Sequence, residues 1–182
     1  MKIEKIIIIS LLLISSLVIT CSFLIHDNEE IYTTEEILEA SPIKNPVSLR
    51  MYENLEKYSC EYDIPKYIFY NIAFLETTYR GPFHWDYRPN LTSSAGAVGP
   101  MQIMPSTANF VHRKTISIKK LKNDVVFNIE TSAKLLKHLY KLYGDWSLVC
   151  GYYNTGRPIV NQYAKFCISN EDYQKNWLKP NN

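Results

Sequence analysis

The four cysteines, Cys21, Cys60, Cys150 and Cys167, contain no C-x-x-C pair, and the four histidines at 26, 84, 112 and 138 form no metal-type pair. Both absences point away from a zinc site. No internal repeat of solenoid length is present, which excludes a stacked array. No run of strands alternates with helical stretches, which excludes a doubly wound parallel sheet. A further absence is local. The segment SSAGAVGPMQIMPSTA, Ser93 to Ala108, reads as a functional loop, yet none of its sixteen residues titrates near neutral pH. Any acid or base that serves it must come from elsewhere in the chain.

What is present fits one folded domain. A chain of 182 residues with 46% hydrophobic and 21% charged residues has the composition of a globular protein, and fourteen tyrosines are its main excess. The first twenty-five residues place Lys2 and Lys5 before an apolar run from Ile6 to Ile25 interrupted only by serines, a threonine and Cys21. This is an export segment, and its run is about long enough to span a bilayer, which takes roughly 20 residues. It therefore serves as a cleaved signal or an uncleaved anchor. The sequence Val18-Ile19-Thr20-Cys21 also resembles a bacterial lipobox, with Thr where Gly, Ala or Ser is usual, so a lipid on Cys21 is a third mode of attachment.

The net charge of +2 is unevenly spread. Residues 1–25 carry +1, residues 26–44 carry six acids against Lys44 for −5, and residues 45–182 carry the remaining +6. The segment 26–44 reads as an acidic tether. The basic remainder suits a polyanionic partner, and charge alone does not choose among nucleic acid, anionic lipid and acidic wall polymer.

From Asn45 the chain reads as helices with short joints. Asn45 and Pro46 predict a cap and a first-turn proline, followed by a helix to about Cys60 with Leu49, Tyr52, Leu55 and Tyr58 on one face. Pro65 opens PKYIFYNIAFLETT, apolar on nearly every face apart from Lys66 and Asn71, as in a buried helix. Pro105 fits another first turn. Asp124 starts a long helix ending before Gly144, with Ile129, Ala133, Leu136, Tyr140 and Tyr143 inward and Glu130, Lys134, Lys137 and Lys141 outward. Gly144 suits a left-handed exit and Asp145 caps WSLVCGYY. The fold class is all-α, at most an α+β lysozyme-like arrangement with a short hairpin in the 78–100 connection.

The missing acid is assigned to Glu76, at the C-terminal end of the buried second helix. Removal from water and the negative end of the helix dipole both favour a protonated carboxyl group there. The alternative from position alone is a side chain turned outward at a fraying helix end.

Four ordered blocks decide between these readings. Ser93, Gly96, Ala97, Gly99, Met101, Gln102, Met104, Pro105, Thr107 and Ala108 fall on the pattern S-x-x-G-A-x-G-L-M-Q-I/L-M-P-x-T-A. Asp124, Asn128 and Ile129 match D-x-x-x-N-I, Gly144 to Trp146 match G-D-W, and Tyr153, Asn154 and Gly156 match A-Y-N-x-G. Over about residues 60–164 the chain resembles the soluble-type lytic transglycosylases of the lysozyme-like superfamily. It departs from them at Pro100, at Gly151-Tyr152, at Thr77 after the acid, and at Ser132 and Leu135, which replace a common Gly and Tyr. The largest departure is a long interval between Glu76 and Ser93 containing RGPFHWDYRPN.

The resemblance implies a helical lysozyme-like domain over 45–182 that cleaves the MurNAc–GlcNAc β-1,4 bond of peptidoglycan and closes a 1,6-anhydro ring. It implies Glu76 as the catalytic residue, with Ser93, Met101, Gln102, Tyr153 and Asn154 as substrate contacts. Gln102 offers amide donors and an acceptor to acetamido or hydroxyl groups, and Met101 an apolar face to a sugar. Tyr153 is expected to aim its hydroxyl at the acid or the sugar, and Asn154 to contact substrate or hold the loop. No cofactor or metal is expected. Expected partners are peptidoglycan glycan strands and, through the N-terminal segment or Cys21, the membrane of a bacterial cell envelope on its periplasmic side. Nucleic acid is not among them, and envelope-spanning machinery is left open. Two other classes share these residues: a lysozyme-type hydrolase using Asp86 as second carboxylate, and a non-catalytic wall-binding module. Asp86 is expected to rest in a loop ion pair with Arg80 or Arg88.

Overall fold

The structure, a computed structural model, describes residues 45–169. The apolar run 6–25, Cys21, the acidic segment 26–44 and residues 170–182 lie outside the described residues. Seven helices make up the fold among those described: α1 Val47–Glu61, α2 Lys66–Thr77, α3 Pro105–His112, α4 Ile118–Asn123, α5 Val125–Tyr143, α6 Trp146–Thr155 and α7 Gln162–Cys167. None is long and apolar enough to cross a membrane.

Helix α2 is a largely buried helix. It buries Ile68, Phe69, Tyr70, Asn71, Ile72, Ala73 and Thr77, which cover nearly all of its circumference as its sequence predicts. Each fully buried Ile or Phe contributes about 1.5–3 kcal/mol by leaving water. Asn71 was expected to be a polar break in this surface but has no solvent exposure. Its amide nitrogen lies 3.1, 3.1 and 3.0 Å from the carbonyl oxygens of Phe166, Cys167 and Ser169. It thus supplies the donor that the end of α7 lacks, and Phe74 stacks on Phe166 beside it, centroids 5.7 Å apart.

Helix α1 starts one residue off expectation. Pro46, extended at ψ 143°, is itself the capping position, and no side chain caps the helix. The buried face is also rotated: Ser48, Met51, Leu55, Tyr58 and Ser59 are inside, while Tyr52 is 38% exposed. Ser48 turns the helix. Its hydroxyl donates to the Pro82 carbonyl at 2.9 Å, and its own carbonyl accepts from the Tyr79 hydroxyl at 2.6 Å. Pro65 likewise caps α2 instead of opening it, and Thr78 closes that helix in the left-handed region at φ 55°.

The 78–104 connection forms two isolated antiparallel bridges, Thr92 with Val98 and Val98 with Ile103, in place of a full hairpin. Its long insertion is anchored: Tyr79 and Tyr87 are buried to 0% and 2% exposure, with rings 5.0 Å apart. Pro105 occupies the first turn of α3. Asp124 caps α5 through the Phe127 N–H at 3.0 Å, and Gly144 ends it at φ 64°. Ile129, Ala133 and Leu136 are fully buried, whereas Tyr140 is half-buried and stacked on Trp146, 4.4 Å between centroids. Asp145 caps α6. Helix α5 packs against α1, α3, α4 and α6, and α7 fills the space between α6 and α2.

Candidate active site

Glu76 is the penultimate residue of α2 and is half-buried. It does not fray outward, because the helix continues through Thr77, whose side chain is fixed on three sides. The Thr77 hydroxyl lies 3.2 Å from the Ala73 carbonyl, 2.8 Å from the Pro100 carbonyl and 2.6 Å from the Tyr87 hydroxyl. One residue after the acid therefore ties α2 to both the glycine-containing loop and the insertion. Burial raises the Glu76 carboxyl group above its ordinary pKa of 4.5, partly opposed by a hydrogen bond from Tyr163. The Tyr163 hydroxyl donates to Glu76 Oε1 at 2.6 Å. Burial, reinforced by the neighbouring Glu76 charge, pushes the Tyr163 phenol well up, so it stays a neutral donor.

The uncharged loop is held as a rigid wall. Asn128, buried on α5, accepts from the Met101 N–H at 2.9 Å and donates to the carbonyls of Val98 at 3.0 Å and Leu121 at 2.9 Å. Gly99 is needed there: it sits at φ +80°, and a Cβ would lie 2.5 Å from the Asn128 amide nitrogen.

The expected contact residues take different positions. Met101 has no solvent exposure, so its side chain is core and not a sugar platform; the Asn128 bond to its backbone turns it inward. The Tyr153 hydroxyl is 2.7 Å from the Met101 carbonyl and 2.9 Å from Ser132 Oγ. It is engaged by the loop and by Ser132. Ser93 accepts from the Ala97 N–H at 3.0 Å and fixes its own turn. Gln102 adopts φ 47° and donates from Nε2 to the Gly99 carbonyl at 2.8 Å. It is half-buried, and its amide oxygen makes no hydrogen bond among the described residues. Asn154 accepts from Asn161 Nδ2 at 3.0 Å, and Asn161 in turn caps α7. Asp86 is 90% exposed in its side chain and faces His84 at 3.4 Å, not Arg80 or Arg88; the tight turn from Gly81 to Tyr87 brings the histidine back to it.

A groove of about 510 Å³ runs between α3, α5 and α6, with Phe110, Leu135, His138, Tyr152, Tyr153 and Asn154 on its walls. Its size suits a small ligand or part of a polymer. Glu76 is not one of its lining residues. Tyr153 on the groove wall has a phenol raised by burial and, less, by the Glu76 charge, and Asn154 holds the cap of the helix bearing Tyr163. Leu135, almost wholly buried, is among the apolar residues lining this groove.

Tyr163 and Thr77 are the residues that sequence reasoning missed. The cap residue Asn161 was the available signal for α7, and nothing in its short sequence pointed at the acid.

The described residues thus form a small helical domain with a desolvated carboxyl group at the end of α2. Residues 53–175 match the transglycosylase SLT domain, and the chain belongs to that family. Over 80 residues, 43% of this chain, it is 34% identical to the membrane-bound lytic murein transglycosylase D of Escherichia coli K12. The protein of the same name from E. coli O6:H1 CFT073 matches equally. The chain spans only 18% of the length of these relatives. Among solved structures, the 70-kDa soluble lytic transglycosylase in complex with bulgecin A superposes with a TM-score of 0.51 at 24% identity, covering 66% of this chain and 19% of that one. That likeness establishes the fold.

Proposed function

We propose that the domain is a lytic transglycosylase that cuts the MurNAc–GlcNAc β-1,4 bond of peptidoglycan and leaves a 1,6-anhydroMurNAc end. The observation that carries this reading is the Glu76 carboxyl group, raised by burial at the end of α2 and met at 2.6 Å by Tyr163, in a chain of the SLT family. A raised pKa lets a carboxylic acid keep its proton to higher pH, as a proton donor requires.

Glu76 gives its proton to the bridging oxygen, and GlcNAc departs as positive charge develops at the MurNAc anomeric carbon. The substrate's own 2-acetamido group stabilises that centre. Glu76, now ionised, takes the proton from the MurNAc C6 hydroxyl as that oxygen closes the anhydro ring. No water is consumed, and one protein carboxylate serves both steps. Tyr163 holds Oε1, so Oε2 is the oxygen that exchanges the proton, and the same bond steadies the carboxylate between steps. The loop of residues 93–104 contributes position instead of charge, an effect that can reach several kcal/mol. Gln102, through its amide oxygen, and the groove along Tyr152 and Asn154 are the assigned substrate contacts.

The hydrolase reading through Asp86 finds no support in that side chain's exposure and its His84 partner. We place the domain in the bacterial envelope, tethered by residues 1–25 or by a lipid on Cys21, in keeping with a relative named as membrane-bound. Release of muropeptides from purified peptidoglycan tests the assignment: Glu76→Gln is expected to lower turnover by at least about 100-fold with the fold intact, and activity within several-fold of the parent contradicts it.

A further inference from the structure

Beside the groove between α3, α5 and α6 lies a second cavity of about 300 Å³, lined by Phe110, Val111, Arg113, Lys134 and His138. Phe110 and His138 line both spaces, and their rings meet edge to face with centroids 5.3 Å apart. The two cavities therefore adjoin at this ring pair. Their chemistry differs. Apolar and aromatic side chains make up most of the groove wall, whereas the second cavity is lined by an arginine, a lysine and a histidine and by no acid.

The basic groups come from two helices. Arg113 ends α3 in the left-handed region at φ 52°, which few non-glycine residues adopt. Its guanidinium makes no hydrogen bond or ion pair among the described residues. Lys134 and His138 are four residues apart on α5 and share a face. Lys134 pairs with Glu130 at 2.7 Å, so one acid stands against two permanent cations. The excess is felt at the neighbouring His112, whose imidazole is pushed down first by burial and then by the Lys134 charge, ahead of the opposing Glu130. A guanidinium fork without a partner is suited to a carboxylate, which it can meet with two parallel hydrogen bonds.

We propose that this basic cavity takes a carboxylate of a peptide carried on the glycan, while the sugar that bears the peptide lies in the groove on the other side of Phe110 and His138. Peptidoglycan has this form: the lactyl group of MurNAc carries a peptide through an amide bond, and the acidic residues of that peptide are anions within a few bonds of the sugar. The inference rests on the peptidoglycan reading above and adds a second point of recognition to it. The domain then distinguishes glycan with charged peptides from glycan whose peptides are amidated or removed.

The test reads binding, by isothermal titration calorimetry of the full chain in detergent. One probe is GlcNAc–MurNAc–L-Ala–D-Glu; the other is the same molecule with both carboxyl groups amidated. Neither contains the MurNAc–GlcNAc bond that the proposed reaction cuts, so turnover does not enter. The free acid is expected to bind roughly 3- to 10-fold more tightly than the amide, with the difference shrinking as salt is raised. Arg113→Gln/Lys134→Gln is expected to bind both probes alike. Lys141→Gln, which removes a charge on α5 outside both cavities, is expected to keep the preference. Excess inorganic phosphate should leave the preference in place; its loss would make this a phosphate site and overturn the proposal. Equal binding of the two probes by the parent, or a preference that survives Arg113→Gln/Lys134→Gln, overturns the proposal alone. Failure of both probes to bind overturns it together with the peptidoglycan reading.

Discussion

At Glu76 burial and the Tyr163 hydroxyl act in opposite directions on one carboxyl group, and burial prevails. A carboxyl group whose folded pKa is raised binds its proton more tightly in the folded chain than in the unfolded one. Its contribution to stability is present at low pH and is lost as the pH rises from the unfolded value of 4.5 through the raised folded value. Glu76→Gln removes that loss. The variant is expected to melt above the parent at neutral pH and to match it below about pH 4, as followed by calorimetry across pH; equal melting at every pH would contradict a desolvated acid. Tyr163→Phe deletes the one interaction among the described residues that favours the carboxylate, so the Glu76 pKa moves further up. The alkaline limb of the kcat/KM profile should shift to higher pH, with turnover lower by roughly 10- to 100-fold. Glu76 is legible in the sequence through the ordered motif blocks that follow it, since its place near the end of a mostly apolar helix leaves an outward-turned side chain equally open. Tyr163 is not, since a tyrosine on a six-residue helix declares its partner only after α7 has docked.

At the scale of elements, the loop of residues 93–104 owes its shape to a side chain outside it. Asn128 makes three hydrogen bonds to the loop and the end of α4, and with Gly99 it fixes the turn that carries Gln102. Asn128→Ala leaves the buried Met101 N–H without its acceptor and is expected to cost about 2–4 kcal/mol, measured by urea denaturation. A loss under about 1 kcal/mol would mean that the loop is self-supporting. In the insertion, by contrast, Asp86 touches only His84 at the surface, and Asp86→Asn should leave turnover within about twofold of the parent, since an exposed ion pair contributes about 0–1 kcal/mol. Helices α5 and α6 could be read from Asp124, Gly144 and Asp145, because caps and left-handed exits act locally. The face of α1 could not, because Tyr79 and Pro82 draw Ser48 inward from some thirty residues away. The core role of Met101 was hidden for a related reason: a matched motif does not say which way a side chain points.

For the whole molecule, the charge divides near Asn45, with +6 over residues 45–182 and −5 in the acidic segment 26–44 before them. A chain beginning at Asn45 is expected to be helical and to melt cooperatively by circular dichroism; an unfolded spectrum would make the acidic segment part of the core. Whether the domain turns over glycan at all separates an enzyme from a binding module, and the chemical form of the new chain end separates a transglycosylase from a hydrolase. Mass spectrometry of the muropeptides released from purified peptidoglycan tests this most directly. The account predicts 1,6-anhydro ends, one water lighter than hydrolysed ends, from the parent and from Asp86→Asn alike. Reducing ends from the parent that disappear in Asp86→Asn would contradict it.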